Sequence, residues 1–163
     1  SAASDVYKRQ EYKGFPCVIL FMPTGYRCGY VWIPKEVKID IDNIGEKIKH
    51  KFVGREYEAV VLLLLDSKYK EVFCGVVSKG SVSACEVYVR KIIEMAVLYN
   101  AKFAVLSHNH PSGLALPSND DIKTTEKVYR ALRLIDVVLI DHIIVADDDY
   151  VSLKDSGFMD EMY

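Results

Sequence analysis

The sequence predicts a mixed α/β domain preceded by a small β segment, and three observations carry that expectation. Half of the 163 residues are hydrophobic, enough for one domain with a real core. Strand-like apolar runs alternate with stretches whose apolar residues recur at helical spacing, which argues one layered α/β structure. Residues 57–65 form an almost continuous apolar run, as in a strand covered on both faces.

Residues 1–10, SAASDVYKRQ, back-translate without a mismatch to the transposase adapter of tagmentation sequencing libraries. They are expected to be read-through rather than native protein and are set apart from the fold, leaving the native N-terminus and any upstream domain open. Residues 11–35 are expected to hold an N-terminal β-hairpin: two β-rich runs, 15–22 and 26–33, flank Pro23-Thr24-Gly25. Tyr26, Tyr30 and Trp32 alternate on one face, more in the manner of a buried sheet face than of a binding surface.

The α/β domain is expected over 36–163. Ile41, Ile44, Ile48 and Phe52 predict a short amphipathic helix over 42–51. The apolar strand 57–65 turns at 66–70 into a hairpin partner over 71–78. Val89, Ile92, Ile93, Ala96 and Val97 predict a helix over 86–99 against the sheet, with Asn100 as its cap. A strand over 102–107 would deliver two histidines to the sheet's edge. The helix 119–134 that follows keeps Lys123, Lys127, Arg130 and Arg133 in solvent. A strand over 136–146 and a last one over 150–153 flank Asp147-Asp148-Asp149, which lacks the spacing of a calcium loop and reads as a hairpin turn.

Composition narrows the classes of partner, leaving nucleic acid possible but not supported by net charge. A net charge of −2 exerts no global pull toward nucleic acid. The local basic cluster of Lys47, Lys49, His50, Lys51 and Arg55 reads as a solvated helix face. No run approaches the roughly 18 apolar residues of a membrane span, and no secretory signal is visible, so no membrane partner and a cytoplasmic location are expected. Cys17, Cys28, Cys74 and Cys85 have no Cys-x-x-Cys spacing and read as reduced, buried thiols rather than a zinc knuckle. A Cys17–Cys28 bridge across the hairpin has nothing else to recommend it.

The stretch 107–121 is where residue types look chosen for chemistry. His108 and His110 follow a short strand-like run, so if the strand persists both imidazoles leave the same side and offer two nitrogen ligands. Pro111, Gly113 and Pro117 impose an irregular loop. Ser118 has the character of a helix cap, which places Asp121 in the first turn. There the carboxylate can complete a His₂Asp set with a fourth position open to water, the arrangement of a catalytic zinc. Ser118-x-x-Asp121 is equally a plain capping box, in which the carboxylate only satisfies a backbone N–H. Glu58, at the head of the buried strand, reads on its own as an exposed strand-end residue like Glu56.

His108-Asn109-His110-Pro111-Ser112-Gly113 followed by Pro117-Ser118-Asn119-Asp120-Asp121-Ile122 closely resembles the signature of the RadC-type JAB/MPN-domain proteins, whose wider superfamily carries the JAMM metalloprotease motif. The resemblance runs from about Asp42 to near the C-terminus, through Glu58 to Asp66, Gly80, Arg90, Asn100-Ala101 and Asp141-His142-Ile143-Ile144-Val145. It implies the JAB/MPN fold, a curved mixed sheet flanked by helices with cytidine-deaminase-like topology. Deaminase chemistry itself is disfavoured, because its His-x-Glu and Pro-Cys-x-x-Cys elements are absent.

The resemblance also implies chemistry. One Zn²⁺ per chain would be held by His108, His110 and Asp121. Glu58 would be the general base that activates the attacking water and passes its proton to the leaving amine, with Glu56 as the alternative should the register differ. Ser118 would donate to the developing oxyanion and is not a nucleophile. The implied activity is that of a zinc-dependent metallohydrolase, a peptidase or isopeptidase acting on a peptide or isopeptide substrate. A DNA-repair-associated accessory protein and a non-catalytic JAB/MPN interaction module are the alternatives, the intact ligand set arguing against the last. His142, beside Asp141, reads as a satisfied structural histidine or a partner of a metal ligand. Scissile bond, native metal and oligomeric state stay open, since His₂Asp sites accept several divalent ions.

Overall fold

The computed structural model describes the backbone of residues 7–12, 15–21, 27–32, 39–80, 85–111 and 113–162, and the side chains of 39–80, 89–111, 113–160 and 162. Two units, Ser1–Val37 and Lys38–Tyr163, are each taken by themselves.

The first unit is an antiparallel sheet of β1 (Tyr7–Tyr12), β2 (Phe15–Phe21) and β3 (Arg27–Trp32), in that order. The expected hairpin is its β2–β3 half. β1 is an addition that takes in residues 7–10 of the stretch set apart on sequence grounds, pairing Lys8 with Ile19 and Gln10 with Cys17. The ladder is built from backbone groups, so it carries no argument about the origin of those residues. Across β2–β3 the partner of Cys17 is Trp32 rather than Cys28. The expected turn at 23–25 and the aromatic alternation of Tyr26, Tyr30 and Trp32 fall outside the described residues and side chains.

In the second unit the elements run α1 (Ile44–Lys49), β4 (Ala59–Leu65), β5 (Glu71–Lys79), α2 (Cys85–Leu98), β6 (Phe103–Asn109), α3 (Asn119–Arg133), β7 (Val138–Ala146) and β8 (Asp149–Ser152). The strands form one five-stranded mixed sheet in the order β5-β4-β6-β7-β8, with β6 and β7 parallel and the other pairs antiparallel. This is the mixed α/β architecture, a mixed sheet flanked by helices, that the alternation of patterns predicts.

β4 explains why its sequence lacks alternation. Val60, Leu62 and Leu64 pack with Leu106 under Ile92 and Ala96 of α2 and Val128 and Leu132 of α3. Val61, Leu63 and Leu65 pack with Val105 and Ile143 under Ile44 and Ile48 of α1. Both faces are therefore core, and each such leucine withdrawn from water contributes roughly 1.5–3 kcal/mol. On α3 the buried residues Asp121, Thr124, Thr125, Val128 and Leu132 recur at helical spacing, while Lys123, Lys127, Arg130 and Arg133 are exposed. Asp147 and Asp148 form the tight turn between β7 and β8, with Asp147 at φ 50, the left-handed region that aspartate tolerates in such turns.

One expectation needs correction because it moves the site. β6 runs two residues further than expected, to Asn109, and lies in the middle of the sheet rather than at an edge: His108 pairs with Val60 of β4 and with Ile144 of β7. His108 is thus a buried residue of a central strand, and His110 follows just beyond the strand's end. Parallel neighbours require a crossover, here α3, so the carboxyl end of β6 and the N-terminus of α3 meet at the sheet's rim. Open α/β sheets hold their ligands at such a rim. No helix long and apolar enough to cross a membrane occurs among the described residues.

Candidate metal centre

Strand alternation sends His108 and His110 to the α3 side of the sheet, and the first turn of α3 brings Asp121 to meet them. His108 Nε2 lies 2.9 Å from His110 Nε2 and 3.2 Å from Asp121 Oδ1. His110 Nε2 lies 3.6 Å from Asp121 Oδ2. His108 and Asp121 are buried and His110 is half-buried.

The capping box exists as well. Asp121 Oδ2 accepts from the Ser118 backbone N–H at 2.7 Å and from the Ser118 hydroxyl at 2.6 Å, while Ser118 Oγ accepts from the Asp121 N–H at 3.2 Å. Burial works to raise the pKa of Asp121. The contact with His108 and the two hydrogen bonds from Ser118 outweigh it and hold the carboxyl well below the usual carboxylate range.

The hydrogen-bond partners favour one set of ring tautomers. His110 Nδ1 is 3.0 Å from the Leu114 carbonyl, an acceptor only, so Nδ1 carries the hydrogen and Nε2 of the neutral ring is bare. Thr125 Oγ1 is 2.6 Å from the Asp121 carbonyl and must donate its single hydrogen there. Toward His142 Nδ1, also at 2.6 Å, the same oxygen can then only accept. His142 is fully buried, and burial, reinforced by the neighbouring His108, keeps its pKa well below that of a free imidazole. It is neutral, with hydrogen on Nδ1 and a bare Nε2, and that Nε2 accepts from His108 Nδ1–H at 2.8 Å. His108 Nε2 is bare in consequence.

With neutral rings two nitrogen lone pairs and a carboxylate converge, an arrangement that could hold a metal ion in place of the hydrogen through which His108 otherwise lowers the Asp121 pKa. A tetrahedral zinc with bonds of about 2.0–2.1 Å sets its ligand atoms about 3.3 Å apart. His108 Nε2 and His110 Nε2 are 2.9 Å apart, each lies within 3.6 Å of one of the two Asp121 carboxylate oxygens, and the donors are of the type zinc takes. The residues fit a metal ion.

Glu58 enters by register rather than by contact. Val60 is the cross-strand partner of His108, so those side chains share a face. Glu58, two residues earlier, belongs to the same face. Its carbonyl accepts from Gly80 N–H at 2.8 Å, which carries the β4–β5 ladder past the strand's end. Glu58 is half-buried, and its carboxylate has no hydrogen-bond or ion-pair partner among the described residues. Glu56 lies outside the ladder, exposed, in the wall of an open cleft of about 560 Å³ shared with Arg55, His110, Pro111 and Asp147.

Sequence reasoning passed over two residues that organise this site. Asn109 accepts from Ala59 N–H at 2.8 Å and donates to the Tyr57 carbonyl at 3.0 Å, so one carboxamide holds the peptide units on both sides of Glu58. Thr125 links α3 to His142. Their signals were slight: Asn109 stands between the histidines and points away from them by strand alternation, and Thr125 sits one helical turn after Asp121.

A model of the RadC-like JAB domain family matches residues 40–158. A UPF0758 protein of Idiomarina loihiensis is 40% identical over 118 residues, which is 72% of this chain and 51% of that protein. A UPF0758 protein of Stenotrophomonas maltophilia is 34% identical over 116 residues, covering 71% of this chain and 50% of its own. One from Marinomonas sp. is 41% identical over 102 residues, 63% of this chain and 46% of that protein. The chain spans about half the length of these curated relatives. With the whole five-stranded sheet and all three converging side chains inside the matched stretch, this chain belongs to the RadC-like JAB domain family.

Proposed function

We propose that the chain is a zinc-dependent metallohydrolase, a peptidase or isopeptidase in which water attacks an amide carbonyl. The observation that carries this reading is the convergence of bare His108 Nε2, bare His110 Nε2 and the Asp121 carboxylate at the end of a central strand. Three protein ligands leave a fourth position of a tetrahedral ion for water or substrate, as catalytic zinc sites do. When bound, zinc supplies a Lewis acid that lowers the pKa of water and polarises a carbonyl.

The chain's own residues do the rest. Glu58, whose carboxylate has no partner among the described residues, takes the proton from the attacking water as the C–O bond forms, then gives it to the leaving amine as the C–N bond breaks. The cleft beside His110 offers the substrate backbone a place to lie. Ser118 stands next to the ligands as the oxyanion donor. Its hydroxyl hydrogen rests on Asp121 Oδ2, so donation requires that hydrogen to swing toward the substrate. Ser118→Ala should therefore lower kcat about 10²–10³-fold with little change in KM if the hydroxyl serves the oxyanion. As a cap alone, its removal would appear only as a stability loss of ~1 kcal/mol.

Elemental analysis after dialysis tests the reading directly, with about one zinc per chain expected. Cleavage in a library of peptide and isopeptide substrates should stop with a chelator and return with zinc. A chain that retains no metal from equimolar zinc sinks the proposal. The DNA-associated alternative has less to work with: Lys47 pairs with Glu71, and Lys49 with Glu46, each at 3.0 Å. Salt-dependent duplex binding would favour it.

A further inference from the structure

Among the buried polar residues that the proposed hydrolysis leaves without a part, two lie in contact with the ligands. Thr125 and His142 are both fully buried, where apolar side chains of similar size would avoid the cost of desolvating hydrogen-bonding groups. They form a chain that begins at one ligand and ends at another. We infer that His142 and Thr125 are positioning residues that lock the tautomer of His108. His108 Nδ1–H donates to His142 Nε2, His142 Nδ1–H donates to Thr125 Oγ1, and Thr125 O–H donates to the Asp121 carbonyl. For its purpose the inference rests on the metallohydrolase reading, while the order of the hydrogen bonds stands without it.

The direction of the chain comes from its far end. A carbonyl cannot donate, so the Asp121 carbonyl orients the threonine hydroxyl, the hydroxyl orients His142, and His142 orients His108. Each link leaves the next ring with hydrogen on Nδ1 and none on Nε2. Removing the hydroxyl frees His142 to carry its hydrogen on Nε2 and donate to His108 Nδ1. The His108 hydrogen would then sit on Nε2, in the place of the metal bond. The same chain ties the first turn of α3 to β6 by way of β7, which fixes the spacing of Asp121 and His108. Asp141, on the neighbouring position of β7, holds the backbone there: it accepts from His142 N–H at 2.7 Å and from Ser152 Oγ at 2.6 Å.

Two measurements on the full chain decide the matter. Long-range proton–nitrogen NMR of the zinc-free, nitrogen-15-labelled chain should show the His142 ring with hydrogen on Nδ1, and hydrogen on Nε2 would overturn the inference. Zinc affinity by competition with a chromophoric chelator should fall about 10–100-fold in His142→Leu and Thr125→Val, the usual scale for residues that orient a metal ligand. His142→Gln and Thr125→Ser should stay near the unaltered chain, because a glutamine carbonyl can accept from His108 and a serine hydroxyl can repeat the threonine's bond. Melting temperatures of the zinc-free variants separate lost packing from lost affinity. Unaltered affinity in Thr125→Val, at an unaltered melting temperature, also overturns the lock. If the unaltered chain binds no zinc, the metallohydrolase reading falls, and the ring tautomer of His142 still decides the hydrogen-bond order.

Discussion

Asp121→Asn is expected to strip zinc from the chain while leaving the start of α3 in place. The carboxylate divides its work between two oxygens. Oδ2 takes the backbone and side-chain hydrogens of Ser118 and lies 3.6 Å from His110 Nε2, and Oδ1 faces His108 Nε2. Asparagine keeps one oxygen acceptor for the cap and loses the charge. Losing one partner of a buried charged contact costs about 2–5 kcal/mol, and each 1.4 kcal/mol is tenfold, so zinc affinity should fall roughly a hundredfold or more.

Asp121→Ala should lose the zinc and the cap together, with a further ~1–3 kcal/mol of stability gone in the zinc-free form because the Ser118 hydrogens are left without their acceptor. Chelator competition and urea unfolding of the zinc-free variants read the two effects separately. The carboxyl's lowered pKa gives the same dual role a pH signature. Its contribution to stability is present above the pKa of an unfolded aspartate and is lost as pH falls through the lower folded value. Full zinc binding in Asp121→Asn would reduce Asp121 to a helix cap.

That division of one carboxylate shows where sequence reasoning reaches its limit. Ser118-x-x-Asp121 supports a cap and a ligand equally well by spacing, and the two read as rivals until three dimensions show one carboxylate that caps α3 and also faces both histidines. The elements themselves were legible because their causes are local: a strand buried on both faces has no polar alternation, as β4 has none, and α3 shows its buried stripe at helical spacing. The family motif lies within one contiguous stretch, so His108, His110 and Asp121 could be named together. Asn109 and Thr125 were not assigned their parts, and His142 was left between a structural histidine and a partner of a metal ligand, because those parts depend on how segments distant in sequence meet, β4 against β6 and β7 against β6 and α3. β1 was missed for another reason, since residues set apart from the protein were given no chance to pair.

Glu58→Gln is expected to leave zinc bound and reduce hydrolysis about a hundred- to ten-thousandfold, the usual worth of a positioned general base. Glu56→Gln should leave the rate nearly unchanged. The two glutamates have the same parity along the chain, so alternation does not separate them, and the ladder does. The Gly80 N–H bond to the Glu58 carbonyl and the two Asn109 bonds at Tyr57 and Ala59 hold Glu58 in extended register with β4. Glu56 lies beyond the last of these restraints and faces solvent.

A base loses catalytic power when its carboxylate is displaced by even an ångström, so the restraint matters as much as the group. Asn109→Ala should then lower kcat with Glu58 still present, by less than Glu58→Gln does, and without loss of zinc, because it removes the bonds on both sides of Glu58 and none to a ligand atom. Comparing the three variants at saturating zinc checks the assignment. If Glu56→Gln is the inactive one, the chain enters β4 two residues out of the register drawn here. If all three keep full activity, the attacking water gives up its proton elsewhere.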